Sequence, residues 1–301
     1  MPAPLLNFGS LNIDRVYGVP HFVRPGETLA AHSFTCHAGG KGLNQSIALA
    51  RAGARVTHAG AIGPDGGFLR ELLDATGVDT AALLELQEPT GHAVIQINDA
   101  GQNAIVLHGG ANHALTTDWV DATLARFPAD GIVLTQNETN LTAHILESAH
   151  ARGCRLAWNP APITEACRAI PLAALDYLVL NEVEGAALSG QSKPESILAA
   201  LSARAPRATI VLTLGAQGAV ARVEKHTLTV PAERVARVVD TTAAGDTYIG
   251  YLLASLATGQ PLAQAMNTAT HASAWCVRHV GAAPSIPTLA QLSAPAAPDT
   301  P

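Results

Sequence analysis

The stretch Asp240-Thr241-Thr242-Ala243-Ala244-Gly245-Asp246 joins a strand-like segment, Val235–Val239, to a segment, Thr247–Thr258, with Ile249, Leu252, Leu253 and Leu256 at near-helical spacing. The pattern predicts a strand, a tight loop and a helix. A helix start offers unpaired N–H groups and the positive end of a dipole, which suits an anion. Small side chains at Ala243, Ala244 and Gly245 let the backbone approach a phosphate closely. Beside that phosphate, Asp246 has the chemistry to take a proton from a hydroxyl. Phosphoryl transfer asks little more of a protein than positioning and charge stabilisation. Taken alone, Asp246 reads first as a helix N-cap.

A second loop, Gly39-Gly40-Lys41-Gly42, precedes Leu43-Asn44-Gln45 and a helical pattern over Leu43–Ala52. It is not a P-loop, because G-x-x-x-x-G-K-[ST] is absent and Lys41 precedes a glycine. No G-x-G-x-x-G supports a nicotinamide dehydrogenase. Glycines here would let a small polar ligand sit against bare backbone. Lys41 and Asn44 can donate to hydroxyl oxygens, and the Asn44 carbonyl can accept. A tight turn with a solvated Lys41 fits the same residues equally well. The twelve histidines are scattered, without H-E-x-x-H, so His58, His144 and His271 read as ordinary core or surface residues. No G-x-S-x-G elbow supports a serine hydrolase. Trp119, Trp158 and Trp275 read as core.

The elements that must position these loops follow from apolar runs. Leu5–Gly9, Val56–Gly60, Gly131–Thr135, Arg155–Trp158, Tyr177–Leu180 and Thr209–Thr213 suit strands buried on both faces of a parallel sheet. Helical patterns over 142–152, 182–189 and 194–204 alternate with them, which predicts an α/β sheet covered by helices. Two segments break the rhythm. Residues 13–36 carry Pro20, Pro25 and Gly26, and residues 90–108 alternate polar with apolar. They predict either a small antiparallel appendage or two surface excursions. The Ala- and Pro-rich tail after Pro287 is expected to fray.

Of 301 residues, 48% are hydrophobic and 14% charged, which supports a large buried core. The net charge of -6, with no basic run, argues against nucleic acid or an anionic membrane as partner. Cys36, Cys154, Cys167 and Cys276 form no C-x-x-C pair, so a reduced cytoplasmic setting is expected. No run of about 18 apolar residues suggests a membrane span, and the N-terminus lacks a signal-peptide pattern.

Read together, the motifs resemble the ribokinase-like (PfkB-type) carbohydrate kinases from Gly9 to about Pro287. The matching segments stand in family order: Gly9–Asp14, Pro25–Thr28, Gly39–Gln45, Gly109–Asn112, Asn159–Pro162, Asn181–Glu184, Thr213–Gly218, Asp240–Asp246 and Gly281–Ser285. The late Asp-Thr-Thr-Ala-Ala-Gly-Asp-Thr and the early Gly-Gly-Lys-Gly-x-Asn-Gln are the most specific.

The resemblance implies an α/β three-layer sandwich with a mainly parallel central sheet and a small antiparallel β lid. The core would span 1–12, 37–89 and 109–290, the lid 13–36 and 90–108, and a flexible tail 291–301. It implies ATP-dependent phosphorylation of a sugar primary hydroxyl, D-ribose to D-ribose 5-phosphate first. Deoxyribose, fructose or a nucleoside are alternative acceptors, and a non-catalytic sugar- or nucleotide-binding protein is the rival class. Sugar would be held by Asn12, Asp14, Gly40, Lys41, Asn44 and Glu138, with Asp246 as base and Ala243, Ala244 and Gly245 as the anion hole. Asn181, Thr213, Leu214, Gly215, Gly218 and Gly245 would hold ATP. Glu184 would handle Mg2+, through water if not directly, although Asn181 and Glu184 also read as a capping box. A potassium ion would sit at Asp240, Thr242, Cys276, His279, Gly281 and Ser285. The family also implies a homodimer through paired lids.

Overall fold

The computed structural model describes residues 2–294. In chain order the elements are β1 (Leu5–Phe8), β2 (Asn12–Val19), β3 (Ser33–Gly39), α1 (Lys41–Arg51), β4 (Val56–Ile62), α2 (Gly67–Ala75), β5 (Asp79–Glu85), β6 (Gly91–Asn98) and β7 (Asn103–His108). There follow α3 (Thr117–Arg126), β8 (Ile132–Thr135), α4 (Thr142–Ala151), β9 (Arg155–Trp158), β10 (Tyr177–Asn181), α5 (Glu182–Ser189), α6 (Pro194–Arg204) and β11 (Thr209–Thr213). The chain closes with β12 (Ala219–Val223), β13 (His226–Val230), α7 (Ala244–Ala257), α8 (Leu262–Cys276) and α9 (Leu289–Ser293).

A nine-stranded sheet has the order β13-β12-β11-β10-β9-β8-β1-β4-β5. From β11 to β5 every neighbouring pair is parallel. β12 and β13 close one edge as antiparallel strands. Strands covered on both faces have no solvent side, which is why their sequences are continuously apolar. Successive side chains point to opposite faces. Leu5 therefore joins Ile47 of α1, Leu252 of α7 and Met266 of α8 in one core. Leu6 and Phe8 join Ile145 of α4 and Leu198 of α6 in the other. Helices thus cover both faces in three layers. Strand order reverses between β1 and β8, and open α/β sheets bind ligands at the carboxyl ends beside such a reversal.

A second sheet has the order β3-β2-β6-β7. The pairs β2/β3 and β6/β7 are antiparallel, while the central pair β2/β6 is parallel. Its strands leave large apolar side chains in the open: Phe34 is 54% exposed, Val106 68% and Leu107 62%.

Three expectations change. Val235–Val239 forms no strand, because β13 already closes that edge; Val239 N–H instead donates to the Val277 carbonyl at 2.8 Å. The late helix starts at Ala244, with Ala243 as its cap at φ 61, so Asp246 sits inside the first turn rather than at the N-cap. Of the expected tail 291–301, residues 291–293 close α9, and 295–301 lie outside the described residues. Trp158 is fully buried, Trp119 packs edge-on against Phe8, and Trp275 stacks on His279. Among the described residues, no helix is long and apolar enough to cross a membrane.

Candidate active site

Helices α1 and α7 pack closely because Gly250 lacks a side chain; a Cβ there would come within 2.3 Å of the Ala48 Cβ. The N-terminus of α1 is drawn in the same way onto the loop after β1, where a Cβ on Gly42 would meet Ser10 N at 2.3 Å. These contacts bring the two motif loops together. Asn44 Nδ2 donates to Asp246 Oδ2 at 3.1 Å, and Gln45 Nε2 donates to Asp246 Oδ1 at 2.8 Å. Asp246 is only 8% exposed.

On one side of this pair lie the polar residues of the lid and of the loops after β1 and β8. Glu138 Oε2 accepts from the Lys41 backbone N–H at 2.9 Å and from the Ser10 hydroxyl, so its carboxylate is fastened to the start of α1. Asn12 Oδ1 accepts from Asn112 Nδ2 at 2.8 Å, so what the Asn12 side chain can offer a ligand is its amide N–H groups. Asp14 projects from β2, and Gly39 on β3 makes room for it: a Cβ at 39 would lie 2.3 Å from Asp14 Oδ2. Burial, reinforced by the nearby Glu138 charge, pushes the Asp14 carboxyl up to about 6, with His37 opposing. The Lys41 ammonium is held above its ordinary value, mainly by the Asp246 carboxylate, against the opposing effect of burial and with help from Glu138 and Glu184. Gly40 takes φ 98, a conformation that favours glycine.

On the other side a cavity of about 210 Å³ is lined by Lys41, Asn159, Asn181, Glu184, Gly245 and Asp246 among others. The space around the Gly245 Cα is open. Ala244 N–H bonds the Thr241 carbonyl at 3.2 Å, but the Gly245 and Asp246 N–H groups have no backbone carbonyl to bond among the described residues, so they suit an anion in this cavity. Asn181 and Glu184 form a reciprocal cap. Asn181 Oδ1 accepts from Glu184 N–H at 2.8 Å, while the two Glu184 oxygens accept from Asn181 N and Nδ2 at 2.9 Å each. Capping and facing the cavity coexist here. Burial raises the Glu184 carboxyl above its ordinary value, against Asn181 and Lys41.

A second cavity, of about 510 Å³, shares Thr213, Thr241 and Gly245 with the first. Gly215, Gly218, Val235, Val238, Tyr248 and Ala274 give it a largely apolar wall. Polar and apolar chambers meeting at a helix start suit a molecule with an anionic tail and a flat apolar head. Thr213, Gly215, Gly218 and Gly245 fall on these walls. Leu214 does not: its side chain packs in the core and only its backbone, bonded to the Gly218 carbonyl, belongs to the loop.

Behind the loop, Asp240 Oδ1 accepts from Thr242 N and Oγ1, and Oδ2 accepts from Gly281 N. Burial pushes Asp240 up, but these bonds outweigh it and hold the carboxyl below the usual range. Cys276 Sγ lies 3.0 Å from Ser285 Oγ and 3.5 Å from the Thr242 carbonyl. The His279 side chain turns away to the Trp275 carbonyl. Among the described residues, no three His, Cys, Asp or Glu side chains cluster as a ready metal cage.

Sequence reasoning missed Gln45, Asn112, Gln136 and Asn159 as site-building residues. All are buried and polar, and their one signal is an amide just after a strand or inside a glycine-rich motif.

Comparison with known proteins gives a consistent picture. The profile described as pfkB family carbohydrate kinase matches residues 4–289. A protein named ribokinase from Staphylococcus aureus is 36% identical over 95% of this chain and 97% of its own length. A ribokinase from Cryptococcus neoformans, solved in complex with ADP, superposes with a TM-score of 0.85 at 36% identity, covering 96% of this chain and 98% of that one. A ribokinase from Arabidopsis thaliana, solved with ribose and ATP, gives 0.86 at 27% identity, covering 97% and 98%.

Proposed function

The chain belongs to the pfkB family of carbohydrate kinases, and on that premise we propose that it transfers the γ-phosphoryl group of ATP to O5 of D-ribose. The observation that carries the reading is the seat of Asp246. Two amides from α1 hold its carboxylate at the boundary between hydroxyl-binding residues and an anion-suited helix start. The sugar O5–H bond breaks toward Asp246, the new O–P bond forms at the γ-phosphorus, and ADP leaves. The Ala243–Asp246 segment faces the charge on the transferring group, with the Gly245 and Asp246 N–H groups as its donors. Asn12, Asp14, Gly40, Lys41, Asn44 and Glu138 present donors and acceptors to the sugar, and such a pocket rejects analogues that leave a buried partner unpaired. The base and ribose of ATP take the apolar cavity beside Gly215 and Gly218, with Asn181 and Thr213 toward the phosphates.

Magnesium fits Glu184 through water, because both carboxylate oxygens already accept from Asn181. Bound there, it would draw charge from the phosphates. For a potassium ion the candidate ligands are the oxygens of Asp240, Thr242 and Ser285, which lie behind the loop and are linked to one another directly or through the Cys276 thiol. The backbone at Cys276, Gly281 and His279 would add further carbonyl oxygens. Asp240 meanwhile ties Thr242 to Gly281 and so orders the segment that presents Ala243–Asp246.

The small sheet acts as the lid over the sugar, excluding the water that would compete as acceptor. Its exposed Phe34, Ile105, Val106 and Leu107 favour pairing with a second copy of the chain. A cytoplasmic setting supplies the ATP. An ADP-release assay over ribose, deoxyribose, fructose and nucleosides tests the reading. Ribose should give the highest kcat/KM; a nucleoside or deoxyribose exceeding it would reassign the acceptor, and no turnover on any would return the chain to a binding protein.

A further inference from the structure

Gln45 has no exposed surface, yet every polar atom of its amide is engaged. Its Nε2 donates to Asp246 Oδ1 at 2.8 Å and to Asn159 Oδ1 at 3.2 Å, and its Oε1 accepts from Gln136 Nε2 at 2.7 Å. The same Gln136 nitrogen donates to Asn7 Oδ1 at 2.9 Å. Asn7 Nδ2 donates to the Gly42 carbonyl at 2.9 Å and to Ser46 Oγ at 2.8 Å. Asn159 Nδ2 donates to the Val179 carbonyl at 3.0 Å.

The direction of this relay is fixed at both ends. A backbone carbonyl only accepts. Gly42 O therefore requires the nitrogen of Asn7, which leaves Asn7 Oδ1 to accept from the nitrogen of Gln136. That nitrogen requires the oxygen of Gln45, so only the Gln45 nitrogen remains for Asp246. Independently, Val179 O requires the nitrogen of Asn159 and leaves its oxygen for Gln45. Reversing any one amide would set acceptor against acceptor in a buried site, where an unmade bond costs most. Gln136 keeps this direction although its own Oε1 is left unpaired.

We propose that Gln45 is a positioning residue of the reaction: the buried relay from Gln136 and Asn159 forces its N–H onto Oδ1 of Asp246 and aims the carboxylate at the sugar hydroxyl. The proposal rests on the reading of Asp246 as the base. Asn44 secures the second oxygen and belongs to the sugar site; Gln45 is fully buried, its amide is taken up by Asp246, Asn159 and Gln136, and it acts on the reaction through Asp246.

The test is steady-state kinetics and thermal melting of Gln45→Met and Gln136→Met, each made with Asp246 and with Asp246→Asn. Methionine keeps the volume of glutamine and removes the amide. Gln45→Met should lower kcat about 10- to 100-fold, with the sugar and ATP KM within about twofold. Against Asp246→Asn, the same change should move the residual rate by less than about twofold, since the aspartate it positions is gone. Gln136→Met, one bond further out, should show the same dependence with a smaller loss, and it carries the test if Gln45→Met does not fold. A wild-type kcat in Gln45→Met, or equal losses in both backgrounds, overturns the proposal while leaving Asp246 as base. Full activity of Asp246→Asn removes the base reading and the positioning role with it.

Discussion

Asn44 donates its side-chain amide to Asp246 across 3.1 Å, although 202 residues separate the two in the chain. The bond joins the sugar-side helix α1 to the anion-side helix α7, and it exists because the helices touch at Gly250 and Ala48. Gly250→Ala should therefore cost about 1–3 kcal/mol of stability through overpacking and lower kcat by shifting Asp246. Gly245→Ala should leave stability nearly unchanged, because its Cβ meets open space, yet raise the KM for ATP by filling the phosphate approach. Thermal melting and kinetics on both variants separate packing from ligand exclusion.

Asp14 links the sugar pocket to pH. Its carboxyl is raised from 3.8 to about 6, first by burial and then by Glu138. Between those values the folded protein keeps a proton that the unfolded chain has released. The Asp14 contribution to stability therefore falls as pH rises through this window, and the penalty is complete above it. Asp14→Asn removes the penalty. In denaturant titrations without ligand, its stability relative to wild type should grow from pH 4 to 7 and then level off. A difference that is flat with pH would contradict the assignment.

The cation site makes a separate demand. In sodium-free buffer, potassium should raise the turnover of the wild-type enzyme, and Asp240→Ala should abolish that response because the carboxylate that ties Thr242 to Gly281 is gone. Equal activity with and without potassium would remove the ion from the account.

The lid surface predicts an assembly. Val106 is 68% exposed on β7, the edge strand of the small sheet. Val106→Asp places a charge in the proposed subunit contact and should shift the sedimentation of the protein from dimer to monomer at unchanged melting temperature. A monomeric wild type would contradict the pairing.

Much of the parallel sheet was legible in the sequence, because strands buried on both faces carry the continuous apolar runs seen at Leu5–Phe8 and Thr209–Thr213. Val235–Val239 reads as a strand from its valines, but Arg237 interrupts the run and no neighbouring strand is there to pair with it, and pairing is a tertiary fact that no local pattern contains. At the site, Asp246 and Lys41 stand in motifs with a visible chemical purpose. Gln45 and Asn159 also fall in matching segments and Gln136 in none, but none of the three shows its purpose there, since an amide in a sequence discloses neither its burial nor its partner. Their roles emerge only when α1 and the ends of β8 and β9 meet around one carboxylate. Likewise the cap formed by Asn181 and Glu184 was readable as local structure, whereas its place on the cavity wall depends on Lys41, drawn from a distant helix.

The central claim is that Asp246 removes the proton from the sugar hydroxyl, and Asp246→Asn tests it most directly. The variant keeps the shape of the side chain and loses the base. Single-turnover phosphorylation of D-ribose should slow by about 10²- to 10⁴-fold, while ribose and ATP still bind in calorimetric titrations. A variant that binds both and phosphorylates ribose at the wild-type rate would contradict the assignment.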